Sequence, residues 1–193
     1  MRFYHKYQRE ILTVLLALFF IPFFLINSSF GEGESYTLKL AIDTKIPFMP
    51  MFVFVYISMY LLVLMPYFFV KERKSFNSAA LSYFLVMGLS YLIFFLFPVK
   101  MLRPAVENSL VNLIYLLDAG YNCFPSLHVS LSLLSAAVCF HSNKRYWWLF
   151  IWAGVVSLSV LFVKQHYLLD VLGGILMSML GYFFFIYLRG KLK

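Results

Sequence analysis

Six apolar runs set the limits on what this chain can fold into. They lie at about 11–27, 47–70, 79–97, 125–141, 146–163 and 167–188, separated by short polar stretches and one longer loop at 98–124. An α-helix needs about 20 apolar residues to cross a hydrocarbon core of about 30 Å, and a backbone placed there must satisfy its own hydrogen bonds. The runs therefore predict an all-α integral membrane bundle of six transmembrane helices, with residues 1–193 forming one membrane domain. Composition excludes a soluble domain: 63% of the 193 residues are hydrophobic, 12% are charged, and the mean hydropathy is +0.84. The first run, bent at Pro22, ends Phe24-Leu-Ile-Asn-Ser-Ser-Phe30 without a small-residue cleavage site, which reads as a retained helix rather than a signal peptide.

The polar stretches orient the bundle. If the N-terminus is inside, the inner segments hold Arg2, Lys6, Arg9, Lys71, Arg73, Lys74, Lys144, Arg145, Arg189, Lys191 and Lys193, against Lys39, Lys45, Lys100, Arg103 and Lys164 outside. Eleven against five predicts that both termini are cytoplasmic. The formal charge of +8 is thus a topology signal, and no nucleic-acid partner is expected. The 31–45 loop, with Glu32, Glu34 and Asp43, is too short for a domain, and Leu110 to Leu117 within the 98–124 loop is too short to cross. Cys123 and Cys139 stand about 24 Å apart along a helix, which rules out a disulfide between them.

Two polar clusters interrupt this apolar background. Asn122-Cys-Phe-Pro-Ser-Leu-His-Val-Ser130 sets Ser126 and His128 where a loop runs into an apolar helix, with Pro125 suited to the first helical position. A helix start carries unpaired N–H groups and a positive dipole end, which suit an anion, phosphate above all. Lys164-Gln-His-Tyr-Leu-Leu-Asp170 places His166 four residues before Asp170, on one helical face. With both ends inside, Arg103, Ser126, His128, His166 and Asp170 all fall on the outer face.

A nucleophilic imidazole needs its second nitrogen held by a carboxylate, and Asp170 can hold His166 in that way. The alternative is an interfacial polar pair that settles a helix end. His128 is placed to act as general acid towards a leaving oxygen, or simply to mark the water boundary of its helix. Ser126 suits phosphate contact and helix capping alike. Arg103 can hold two phosphate oxygens with its planar fork, or snorkel to the interface; Lys164 and Lys100 carry the same two readings. Lys164 reaches a pocket with His166 only if the helix breaks between them. Gly173-Gly174 can seat a helix within the bundle or between protomers, which leaves the oligomeric state open.

Together these residues resemble the type 2 phosphatidic acid phosphatase superfamily of membrane enzymes, particularly the branch that includes inositol phosphorylceramide synthases. The similarity runs from Asp43-Thr-Lys-Ile-Pro-Phe48 through Arg103-Pro104 and Asn122 to His128, to Gln165 to Gly174. It implies a six-helix bundle, a phosphohistidine intermediate, and no metal or other cofactor. By position it makes His166 the nucleophile, Asp170 its orienting carboxylate, His128 the acid, Ser126 a phosphate contact and Arg103 the arginine of the first motif. Three positions depart from that pattern: Leu96 and Val160 stand where the family has a lysine and an arginine, and Leu127 replaces a glycine. Lys100 and Lys164 are the nearby replacements for the missing charges. The resemblance implies a lipid phosphatase acting on phosphatidic acid, a prenyl diphosphate or a similar lipid phosphate at the outer face of a plasma membrane, bacterial by its short loops. A head-group phosphotransferase and a non-catalytic lipid-binding or transport protein are the competing readings.

Overall fold

The computed structural model describes residues 2–27, 29, 35–107, 109–118 and 120–191. Glu32 and Glu34 of the first outer loop, and Lys193, lie outside them. Nine α-helices are present among the described residues: α1 Arg2–Leu18, α2 Ile21–Asn27, α3 Val53–Ile57, α4 Met59–Phe69, α5 Arg73–Leu96, α6 Ser109–Leu117, α7 Leu127–Ser142, α8 Trp148–Phe162 and α9 Leu168–Lys191. No β-strand occurs among those residues, only isolated bridges.

Five stretches are long and apolar enough to cross a membrane: Gln8–Asn27, Pro50–Phe69, Arg73–Leu96, Lys144–Phe162 and Leu168–Lys191. The expected fourth span is realised as α7, whose 16 residues cover about 24 Å at about 1.5 Å each, less than a hydrocarbon core of about 30 Å. It begins two residues later than its Pro125 suggested, because Ser126, in extended conformation, occupies the position before the first helical residue. The first span turns at Phe19 and Phe20, just ahead of Pro22. The third starts earlier than expected, at Arg73, so Arg73 and Lys74 are helical.

α7 is the centre of the bundle and packs against α4, α5, α8 and α9. Two of its serines solve the problem of a polar side chain in an apolar core by bonding back along the helix. Ser130 Oγ donates to Ser126 O at 2.7 Å, and Ser135 Oγ donates to Leu131 O at 2.6 Å. α9 approaches closely because it presents glycine: a Cβ on Gly174 would lie 2.7 Å from Ser126 O, and one on Gly173 would lie 2.6 Å from the Phe124 ring. The Gly173-Gly174 pair therefore seats a neighbour within this chain. Large apolar side chains such as Phe54, Leu61, Leu158, Leu176 and Phe183 face outward, the arrangement a lipid solvent favours. The Gln8–Asn27 stretch is the most loosely held, with 6% of its apolar window buried and its packing directed at α5.

Charged residues gather at the two ends. At one, Arg189 pairs with Glu72 at 3.3 Å and donates to Ser75 at 2.9 Å, while Arg9 lies 4.4 Å over the Phe76 ring. At the other are Arg103, Lys164 and the two polar clusters.

Candidate active site

The site forms where α7 and α9 begin. α8 ends at Phe162, and the chain then turns through Lys164, whose φ of +53° is a left-handed conformation rare for a residue with a side chain. The turn is closed by the N–H groups of Gln165 and His166, which both donate to Val160 O. The break that would free Lys164 from the face of His166 is thus present. Asp43 fixes the far side: its Oδ1 accepts the Leu168 N–H at 2.9 Å and its Oδ2 accepts the Leu40 N–H at 2.7 Å. Asp170 does the same from within α9, its Oδ2 accepting the Tyr167 N–H at 2.8 Å. Its carbonyl accepts the Ser126 N–H at 3.0 Å, which ties the start of α7 to the start of α9.

That tie brings the predicted residues together. His166 Nδ1 lies 3.4 Å from Asp170 Oδ2, both side chains buried, a spacing of electrostatic contact just longer than a strong hydrogen bond. The His128 and His166 rings stand 5.6 Å apart between centroids, and His128 is stacked on Tyr56 of α3 at 4.4 Å. Ser126 stands at the cap position, yet its hydroxyl caps nothing; the buried Oγ has no partner. Of the two readings open for this serine, capping is the one its geometry sets aside.

Arg103 is delivered by the 98–124 loop. Segments around Tyr36, Val99 and Asn122 are stitched side by side, and Met101 N–H donates to Gly120 O at 3.1 Å. Gly120, at φ +79°, has no Cβ because the guanidinium fills that place, 2.9 Å from where the carbon would be. Arg103 Nη1 donates to the Asp118 and Tyr115 carbonyls, Nη2 donates to Gln165 Oε1 and lies 3.6 Å from Asp118 Oδ2, and the group sits 4.7 Å over the Tyr115 ring. Its Nε is buried without a hydrogen-bond partner, as are Gln165 Nε2, His128 Nε2, Asn122 Oδ1, Asp170 Oδ1 and His166 Nδ1, the last of which has only its 3.4 Å contact with Asp170 Oδ2. An unpaired buried polar atom costs about 1–3 kcal/mol, so a cluster of them around one histidine marks a place for a polar ligand. Ser78, Ser90 and Ser132 are also unpartnered, but they are scattered along α5 and α7.

The two lysines are engaged with other groups. Lys164 Nζ donates to Ile46 O at 2.6 Å and to Asp43 O at 3.4 Å, and burial holds its ammonium below the usual lysine range. Lys100 Nζ donates to the Tyr121 hydroxyl at 3.1 Å and lies 4.8 Å over that ring.

Three further residues belong to the site and were not singled out from the sequence. Gln165 bridges Arg103 to the His166 turn, Asp118 offsets the charge of Arg103, and Tyr56 supports His128. Asp118 is itself pinned, its Oδ1 accepting from Asn27 Nδ2 at 2.6 Å and from Gly120 N–H at 2.9 Å. Ligand-type atoms of Cys123, His166 and Asp170 lie within 4.8 Å of one another. Burial pushes the Cys123 thiol up, however, and it donates to the carbonyls of Gly120 and Gln165. A metal ligand must be the thiolate, so this donor set is poorly suited to a cation.

The sequence model of the PAP2 superfamily matches residues 79–193, from within α5 through α9. The chain belongs to the PAP2 superfamily. No curated protein and no solved structure matches it significantly. As a PAP2 superfamily member it falls among phosphatases and phosphotransferases that act on phosphate esters. Every residue of the site delivered by α7, α9 and the 98–124 loop lies in the matched region; Tyr56 and Asp43 come from outside it.

Proposed function

We propose that this PAP2 superfamily chain is a membrane lipid phosphatase working through a phosphohistidine at His166. The observation that carries the reading is the buried His166–Asp170 pair at 3.4 Å with His128 beside it. Asp170 holds the proton on Nδ1, leaving the Nε2 lone pair to attack phosphorus. As the Nε2–P bond forms, the bond from phosphorus to the lipid oxygen breaks, and His128 gives that oxygen its proton. Water then attacks the phosphohistidine, His128 takes the proton, and phosphate leaves as His166 regains its lone pair. Ser126 Oγ, Gln165 Nε2 and Arg103 Nε are the unpartnered donors that receive the phosphoryl oxygens. Lys164 and Lys100 stand behind them as loop braces and as sources of positive potential.

In this reading α7 serves as the sixth span within its ring of neighbours, both termini are cytoplasmic, and the site faces outward from a plasma membrane. The test is phosphate release by purified protein in EDTA from phosphatidic acid, phosphatidylglycerol phosphate, prenyl diphosphates and sphingoid phosphates, beside His166→Ala. Release from one class that vanishes in the variant is expected. Release unaffected by the variant, or silence from both proteins, overturns the reading.

One observation favours a phosphotransferase instead. The guanidinium of Arg103 is already offset by a pinned Asp118, which suits a singly charged phosphodiester better than a doubly charged monoester. Single-turnover reactions with and without a lipid alcohol separate the two: a transferase stalls at the phosphohistidine until the alcohol is added.

A further inference from the structure

One apolar cavity adjoins the site and a second adjoins the first, and the chemistry above assigns neither an occupant. The nearer, of about 390 Å³, lies between α2, α3–α4, α6 and the start of α7; apart from tyrosines, its polar lining is His128 and Asp118. The farther, of about 290 Å³, lies between α1, α4 and α5 and reaches Tyr67 and Phe76. Phe20 and Tyr60 line both, so the two adjoin there. Along α3 and α4 the pair runs from Tyr56 to Tyr67, about 16 Å at about 1.5 Å per residue, or roughly half the hydrocarbon core of about 30 Å. That is the depth of one leaflet.

We infer that these cavities form a single groove for one hydrocarbon chain of the substrate, with Phe20 and Tyr60 as the point past which only long chains extend. The inference rests on the phosphoryl-transfer reading above, and it assigns the groove to the leaving alcohol rather than to a head group. His128 delivers its proton to the leaving oxygen, and His128 lines the groove, so the carbons attached to that oxygen continue into apolar space. The walls are mainly hydrocarbon, which suits an alkyl chain better than a polar head group. The outer wall is α1 and α2, the most loosely packed part of the bundle, which gives a chain a sideways route in from the bilayer.

The test uses hexadecyl phosphate carrying a photoactivatable diazirine either near its head or at its tail, with full-length protein in nanodiscs. The head-end probe is expected to label around Ile57 and Leu113, and the tail-end probe around Ala80 and Tyr67. This readout needs no turnover, so it stands even if phosphatase activity is absent. Labelling by both probes that simply follows outward exposure, as at Leu176 and Phe183, overturns the inference and leaves the cavities to bilayer lipid. Where turnover is present, Ala17→Trp fills the far cavity from its outer wall, and Val14→Trp, on the same helix but lining neither cavity, is the control. Ala17→Trp is expected to lower the ratio of kcat/KM for hexadecyl over octyl phosphate by about tenfold, the equivalent of about two methylenes no longer buried. An unchanged ratio, or the same fall in Val14→Trp, also overturns it.

Discussion

At the scale of single residues the site depends on who holds whom. Asp170 Oδ2 lies 3.4 Å from His166 Nδ1 and accepts the Tyr167 N–H at the start of α9, so in the proposed reading it carries two duties, orienting the histidine and capping the helix. Asp170→Asn keeps the shape but presents an amide where Nδ1 needs an acceptor, and turnover is expected to fall about a thousandfold or more in single-turnover assays. Ser126→Ala separates two roles that are hard to tell apart on paper. Because its hydroxyl caps nothing, the variant should melt within about 0.5 kcal/mol of the wild type, short of the roughly 1 kcal/mol a lost cap costs, while kcat falls about a hundredfold. Loss of stability without loss of rate would return the serine to a structural role. His128, His166, Asp170 and Ser126 stood out as candidates because each sits in a short polar motif whose spacing has a chemical meaning, whereas Arg103 stood out through the family resemblance. Asp118 did not: it lies fifteen positions from Arg103, just past the end of α6, a separation that no single helix or turn brings into contact. Gln165 was hidden for another reason, since an uncharged amide beside a histidine announces nothing until a guanidinium is found on it.

At the scale of elements, small residues decide how close α9 comes to α7. Gly174→Ala would drive a methyl against the Ser126 carbonyl at 2.7 Å and Val129 Cβ at 2.8 Å, neither of which swings away. The expected cost is about 1–3 kcal/mol in unfolding, with activity lost because Ser126 and Asp170 are moved apart. Gly154→Ala is the counterpart: nothing lies within 4 Å, and the exchange should stabilise α8 by up to about 1 kcal/mol through helix propensity. Thermal unfolding of both variants in one detergent checks the pair; equal effects would show that the α7–α9 approach has slack. The apolar runs were legible as helices because apolar length is a strong signal; what the run at 125–141 did not reveal is that α7 stops short of a full crossing. Burial inside a ring of other helices relieves it of the need to meet lipid along its full length, and no periodicity in its own residues records that ring.

At the scale of the whole molecule, the chain sorts its cations to two ends, with Arg9 on the Lys71 carbonyl and Arg189 on Glu72 and Ser75 at one and the site at the other. Both native cysteines are buried, so introduced ones report cleanly. Lys45→Cys should react with a membrane-impermeant maleimide on intact cells, and Asn143→Cys only after permeabilisation. The reverse pattern would invert the proposed orientation and place the chemistry in the cytoplasm. The shortness of α7 has one more consequence. A helix of about 24 Å in a core of about 30 Å cannot carry its first residues to the water boundary if its other end is level with its neighbours. In the proposed orientation His128 then works several ångströms beneath that boundary, level with the polar end of a lipid still seated in its leaflet. Desorbing a chain from the bilayer costs about 0.8 kcal/mol for every methylene exposed. A phosphatase working as proposed from that depth would avoid that work, since the lipid needs only to slide sideways and never to rise.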